Sequence, residues 1–194
     1  MKPENHLSTV ALLALMASTA CTKDFSSPLN QDAAVSTLTE PEKRTFCRSY
    51  VDFSHEFEAA YAVNYCNMLV VKSAIKAGSA NEAKDTCGEL AAACASAVEG
   101  KSDPDSPYKD ETFDNCTERD FESCEATVAE VQACINETYA IFEGVYEDYS
   151  GTCSELLDNT DERSELLEPE RSACEVVEEK CPNSRLISFK PRFL

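Results

Sequence analysis

The chain has no tryptophan, only two histidines and only five glycines in 194 residues. So few glycines leave little room for a loop that cradles phosphate, and no GxSxG or HExxH pattern occurs. Two histidines disfavour metal sites of mixed Cys/His type, and His6 falls in the leader described below. The base for any nucleophilic catalysis would have to be His55, which stands beside a stripe of aromatics with no motif around it. It reads as a surface or boundary residue. CxxC is missing, and with it the usual thiol-oxidoreductase motif. Basic charge is scarce: 17 Lys and Arg stand against 36 Asp and Glu, a net charge of −19. That balance argues against nucleic acid, whose phosphates need Lys and Arg to displace counterions, and equally against anionic lipid heads. It suits solubility, with a divalent cation or a basic protein partner as the sharper readings.

What the chain has in excess is cysteine, eleven in all. Cys134, Cys153, Cys174 and Cys181 are separated by 19, 21 and 7 residues, and Cys47, Cys66, Cys87 and Cys94 repeat those spacings 87 positions earlier. Four coincidences at one offset point to an internal duplication. So many cysteines exceed ordinary core use. With no metal motif they read as disulfides in an oxidising compartment, the usual remedy for small helical units with little core.

Met1–Ala20 reads as an export signal, with Lys2 near its start, the largely apolar Leu7–Met16 and then small residues. That run is too short to span a bilayer. Ser18-Thr19-Ala20-Cys21 resembles a bacterial lipobox, although Ser18 stands where that motif prefers Leu. Lipidation of Cys21 would leave ten cysteines, an even number, and would make the membrane a partner through the anchor. Residues 21–38 have no apolar period and read as a flexible tether.

Helices follow. Thr39-Glu40-Pro41-Glu42 is a capping-box pattern, and Phe46, Tyr50, Phe53, Phe57 and Tyr61 recur at steps of three and four. A shorter helix is expected from Cys66 to Ala77, closed by Gly78, and a third from Ser79 to Gly100. Residues 101–112 read as a linker. Thr117 with Asp120 opens a long helix whose stripe runs from Phe121 and Cys124 to Tyr149. Gly151 breaks it, Thr152 with Glu155 recaps, and Pro169 opens a last helix carrying Cys174 and Cys181. The expected fold is all-α: a disulfide-stapled bundle of two tandem three-helix repeats, 39–100 and 113–183, with a basic and apolar tail at 184–194.

Four cysteines in a repeat allow three connectivities. Cys87 and Cys94 lie about 10 Å apart along one helix, too far to bond each other, which leaves two. A turn at Gly78 favours Cys66–Cys94 and hence Cys47–Cys87. By the duplication, Cys153–Cys181 and Cys134–Cys174 follow, and Cys116 is left for Cys124.

Other patterns are weak. Carboxylate pairs such as Glu168/Glu170, Glu178/Glu179 and Asp103/Asp105 are unavoidable among 36 acids. Asp103-Pro104-Asp105 lacks the glycine and closing Glu of an EF-hand. Asn115-Cys116-Thr117 and Asn136-Glu137-Thr138 match the glycosylation sequon, which matters only in a eukaryotic host.

The stretch Cys116-Thr117-Glu118, Cys124, Val131–Thr138, Thr152-Cys153, Cys174 and Lys180-Cys181-Pro182 resembles cysteine-rich helical lipoproteins of myxobacterial envelopes. The resemblance implies bacterial export and lipidation of Cys21, and no functional residues. The expected function is that of an exported, lipid-anchored, acidic envelope or surface protein with a non-enzymatic binding or protective role, without cofactors. The alternative is a secreted small-ligand or lipid carrier, which a continuous apolar cavity between the repeats would favour.

Overall fold

The computed structural model describes residues 23–101, 107–117, 121–159 and 172–182. Among them a 3-10 turn, Val35–Thr37, precedes six helices: α1 Glu40–Lys76, α2 Ala80–Lys101, α3 Pro107–Thr117, α4 Val128–Glu147, α5 Cys153–Asp158 and α6 Ser172–Lys180. The protein is all-α. No helix among the described residues is long and apolar enough to cross a membrane.

Helix α1 replaces two expected helices with one of 37 residues. Pro41 in its first turn is compatible with helix, and no proline or glycine follows before Gly78, so nothing local breaks the chain at Cys66. Its start is held by the Glu42 carboxylate, which accepts from the Thr39 N–H at 2.8 Å and the Thr39 hydroxyl at 2.6 Å. Gly78, at φ +67°, reverses the chain into α2. The backbone there is left-handed, the conformation in which a Cβ is costly.

The second half departs from expectation at its start. Helix α4 begins at Val128, capped by Thr127 and Glu130, and not near Thr117. Phe121 and Cys124 are buried in the loop before it, and residues 107–117 form a separate helix, α3, that overlaps the expected linker. Further on, Gly151 at φ +112° breaks the chain and the Thr152–Glu155 capping box restarts it with Cys153 as the first residue of α5.

Two aromatic ladders join α1 to α4. Phe53 and Phe57 meet Tyr139 at ring-centroid distances of 4.7 and 4.8 Å, while Tyr61 and Tyr65 meet Tyr146 at 6.0 and 5.9 Å. That order means the two helices run side by side in the same direction, each pair contributing about 1 kcal/mol beyond its buried area. Helix α2 packs antiparallel on α1, α5 lies against α2 and α1, and α6 lies against α4.

The expected tether does not hang free where it is described, from residue 23 onward. Phe25 is 1 % exposed among Phe46, Tyr50 and Phe53. Its N–H donates to Asn136 Oδ1 at 2.7 Å and its carbonyl accepts from Asn136 Nδ2 at 3.1 Å. Ser27 N–H donates to Gln132, and Val35 and Ser36 donate to the Ala126 and Cys124 carbonyls. One buried phenylalanine and these backbone bonds offset the ordering entropy that composition alone suggested would win.

Four disulfides staple the body: Cys47–Cys116, Cys66–Cys94, Cys124–Cys181 and Cys134–Cys174. Cys66–Cys94 and Cys134–Cys174 coincide with the pairing read from the sequence. The other expected bonds are corrected. Cys47 joins Cys116 and not Cys87, because α3 packs on α1 and brings Cys116 to it. Cys181 joins Cys124 and not Cys153, because the start of α4 at Val128 leaves Cys124 in a loop whose Glu125 N–H bonds the Lys180 carbonyl. Cys87 and Cys153 are buried thiols. Disulfides of this number belong to an oxidising, extracytoplasmic compartment. On loop entropy each bridge is worth about 4 kcal/mol.

Candidate functional site

Polar groups converge inside the α1–α4 interface. Tyr139 OH donates to Ser54 Oγ at 2.9 Å, and Ser54 donates to Glu58 Oε1 at 3.3 Å. Tyr139 has one proton and gives it to Ser54, so at the 3.3 Å contact between the two phenols Tyr50 must be the donor. The result is a directed chain, Tyr50 to Tyr139 to Ser54 to Glu58, with Glu58 only 4 % exposed. Residues 50, 54 and 58 line up because they are four apart on one helix. Lower down, Tyr61 OH donates to Glu143, and Asn67 Nδ2 donates to the Tyr149 and Gly151 carbonyls at 3.2 and 3.1 Å.

This track gives buried polar groups hydrogen-bond partners, and its phenols are held neutral. Burial pushes the Tyr139 phenol well above its usual range, the nearby Tyr50 pushes in the same direction, and the Ser54 hydrogen bond opposes both only in part. Tyr146 and Tyr65 are raised by burial as well. A phenol held neutral is a hydrogen-bond donor, not a base or nucleophile.

His55 is a correction: it is 6 % exposed, inside the body and not at its surface. Helix α1 touches α2, α3, α4 and α5, so its buried arc is wider than the aromatic stripe alone and takes in Val51, His55 and Ala62. His55 does not make a dyad with Ser54, since consecutive residues on a helix point about 100° apart.

The remaining candidates divide in two. Glu178 and Glu179 are exposed on α6. Asn115 is exposed on α3, while the Asn136 amide is occupied in clamping Phe25. Cys21, Asp103, Asp105, Glu168, Glu170 and the tail 184–194 lie outside the described residues. Among the described residues no three metal-ligating side chains converge.

Two arrangements were not foreseen. The first is an open groove of about 430 Å³ along the start of α1, lined by Pro41, Arg44, Thr45, Arg48, Ser49 and Asp52. Arg44 and Arg48, four apart, lie over the Phe113 ring of α3 at 5.1 and 5.8 Å. The stacking orients both guanidinium groups, but Asp52 shares the groove, so it carries both signs of charge. The second is the thiol pair. Cys153 lies against Cys87, close enough to hydrogen-bond, and burial, then that contact, pushes the Cys153 thiol up to about 12. A catalytic thiol needs the opposite shift. The 87-residue frame alone does not single out this pair, since one internal bond in each half leaves Cys47 and Cys181 over as well; helix placement, which gives those two to Cys116 and Cys124, was needed to find it. No protein-family model, curated protein or solved structure matches the chain significantly.

Proposed function

We propose that the protein is an exported, lipid-anchored envelope module with a non-enzymatic role, in which Cys21 carries the lipid and the acidic helical body binds a basic protein partner or protects the surface. The observation that carries this reading is where the reactive groups lie. Glu58, His55, Ser54 and Tyr139 are enclosed in a stapled core, while Glu82, Asp85, Glu89 and Glu99 face solvent on α2. A site for acid–base work on a substrate needs its acid at a cleft. The same packing weighs against the carrier reading: the interface between α1 and α4 is filled by Phe53, Phe57, Tyr61, Tyr65, Tyr139 and Tyr146. The leader, the lipobox-like Ser18-Thr19-Ala20-Cys21 and the resemblance to myxobacterial-type lipoproteins support the anchor.

The test is fractionation and intact mass of the native protein beside a Cys21→Ser variant. The reading expects wild type in the detergent-extracted membrane fraction, beginning at Cys21 and carrying acyl mass, with the variant released into the soluble fraction. Wild-type chain without acyl mass, free in the medium, would overturn the anchor and make the secreted carrier the leading reading.

A further inference from the structure

We infer that Cys87 and Cys153 are the two ends of a fifth disulfide, and that among the bridges of the described residues it is the one that crosses between the two halves of the protein. The inference stands apart from the proposed anchor and needs only an oxidising compartment. The four bridges fall into two closed sets. Cys47–Cys116 and Cys66–Cys94 lie wholly within α1–α3, while Cys124–Cys181 and Cys134–Cys174 lie wholly within residues 121–182. No bridge among them crosses from one set to the other. Cys87 belongs to α2 and Cys153 to α5, so a bond between them would cross.

The geometry is already assembled. The two thiols are neighbours, at 1 % and 4 % exposure, where α5 docks on α2. One turn before Cys87, Lys84 makes an ion pair with Asp158 at the far end of α5, which fixes that short helix against α2. Leu156 and Leu157 are buried beside Cys153 on the same short helix. The cysteine frame supplies an independent reason. The first half bonds its second and fourth frame cysteines, Cys66 and Cys94, and the second half bonds its first and third, Cys134 and Cys174. Cys47 and Cys181 are taken by Cys116 and Cys124, so among the described cysteines Cys87 and Cys153 remain for each other.

The step is thiol–disulfide exchange with an oxidant of the compartment, a thiol oxidase in its disulfide form. One protein thiol loses its proton and attacks the oxidant's disulfide, forming a mixed disulfide and releasing one oxidant thiol. The second protein thiol then loses its proton and attacks the protein sulfur of that mixed disulfide. The Cys87–Cys153 bond forms, the second oxidant thiol leaves, and two electrons have passed to the oxidant. Burial raises the Cys153 thiol, so its thiolate is scarce once α5 is docked. Attack by Cys153 is therefore slow once α5 is docked.

The test is peptide mapping of the native protein, alkylated in denaturant without reduction, after equilibration with oxidised and reduced glutathione. Trypsin together with a glutamate-specific protease cuts after Lys84 and Glu89, which separates Cys87 from Cys94, and after Glu147 and Glu155 around Cys153. The expected product is peptide 85–89 linked to peptide 148–155, with neither cysteine alkylated. A Cys153→Ser variant should keep the other four bridges and expose Cys87 as one alkylated thiol. Two results would overturn the inference: both residues alkylated while the other eight cysteines are bridged, or either residue linked to a different cysteine.

Discussion

The two halves share one cysteine frame and use it differently. In the first, Cys66 sits inside the unbroken α1 and reaches across to Cys94 on α2. In the second, its counterpart Cys153 opens the short α5, turned toward α2, and Cys181 is left to bond Cys124. The difference traces to a few residues. Gly151, Thr152 and Glu155 break and recap the chain, whereas the positions 87 earlier are Asn64, Tyr65 and Met68, none of which stops a helix. Identical spacing thus fixes which cysteines are available and not which ones meet. Connectivity follows the helix breaks.

Deleting one bridge from each half tests this most severely. Cys134→Ala with Cys174→Ala should cost about 4 kcal/mol and loosen α6, which then stays tied only at its end by Cys124–Cys181. That helix has nine residues, too few to persist alone, and packs chiefly on α4. Cys66→Ala with Cys94→Ala should cost a similar amount on loop entropy, yet leave the α1–α2 pair helical, since those helices have 37 and 22 residues and a long shared face. Hydrogen exchange should rise across 172–180 in the first variant and stay low across α1 and α2 in the second. Equal local loss in both would sink the contrast.

A smaller effect is expected at the glycine turns. Gly151→Ala should destabilise by about 2 kcal/mol, because φ +112° suits almost no other residue. A Cβ there would meet only Glu155 Oε2, at 3.6 Å, so the cost is backbone strain and not collision. Gly78→Ala, at φ +67°, should cost about 1 kcal/mol. Urea midpoints would show whether the broken half depends on its glycine more than the hairpin does.

The smallest effect concerns the caps and their pH dependence. Lys180 first, then the Thr127 N–H, holds the Glu130 carboxyl below its usual range. A carboxylate with a depressed folded pKa stabilises above its ordinary pKa, and that contribution is lost as pH falls through the lowered value. Glu130→Gln should cost less than about 1 kcal/mol at neutral pH, as the pair is partly exposed. Its Tm should fall less steeply than wild type on acidification below about pH 5. Parallel Tm–pH profiles for the two proteins would contradict this assignment.

Local chemistry was enough for much of the architecture. The capping residues Thr39, Glu42, Thr152 and Glu155, the turn at Gly78, the break at Gly151 and the aromatic stripe of α1 all act within a few residues, so they are legible in order along the chain. The same locality explains one bond, Cys66–Cys94, which spans a single helical hairpin; Cys134–Cys174 was expected only through the duplication, from a Cys47–Cys87 bond that does not form. The break expected at Cys66 failed because a cysteine spacing carries no stop signal. What only the tertiary structure decided is set by contacts far apart in sequence. The descent of Phe25 onto α1 and α4, the burial of His55 by several helices at once, and the polar track ending on Glu58 are of this kind. So is the exchange of partners that sends Cys47 to Cys116, Cys181 to Cys124, and brings Cys87 beside Cys153. Each depends on which helix covers which, and periodicity along one chain reports a helix's buried face without naming what will lie on it.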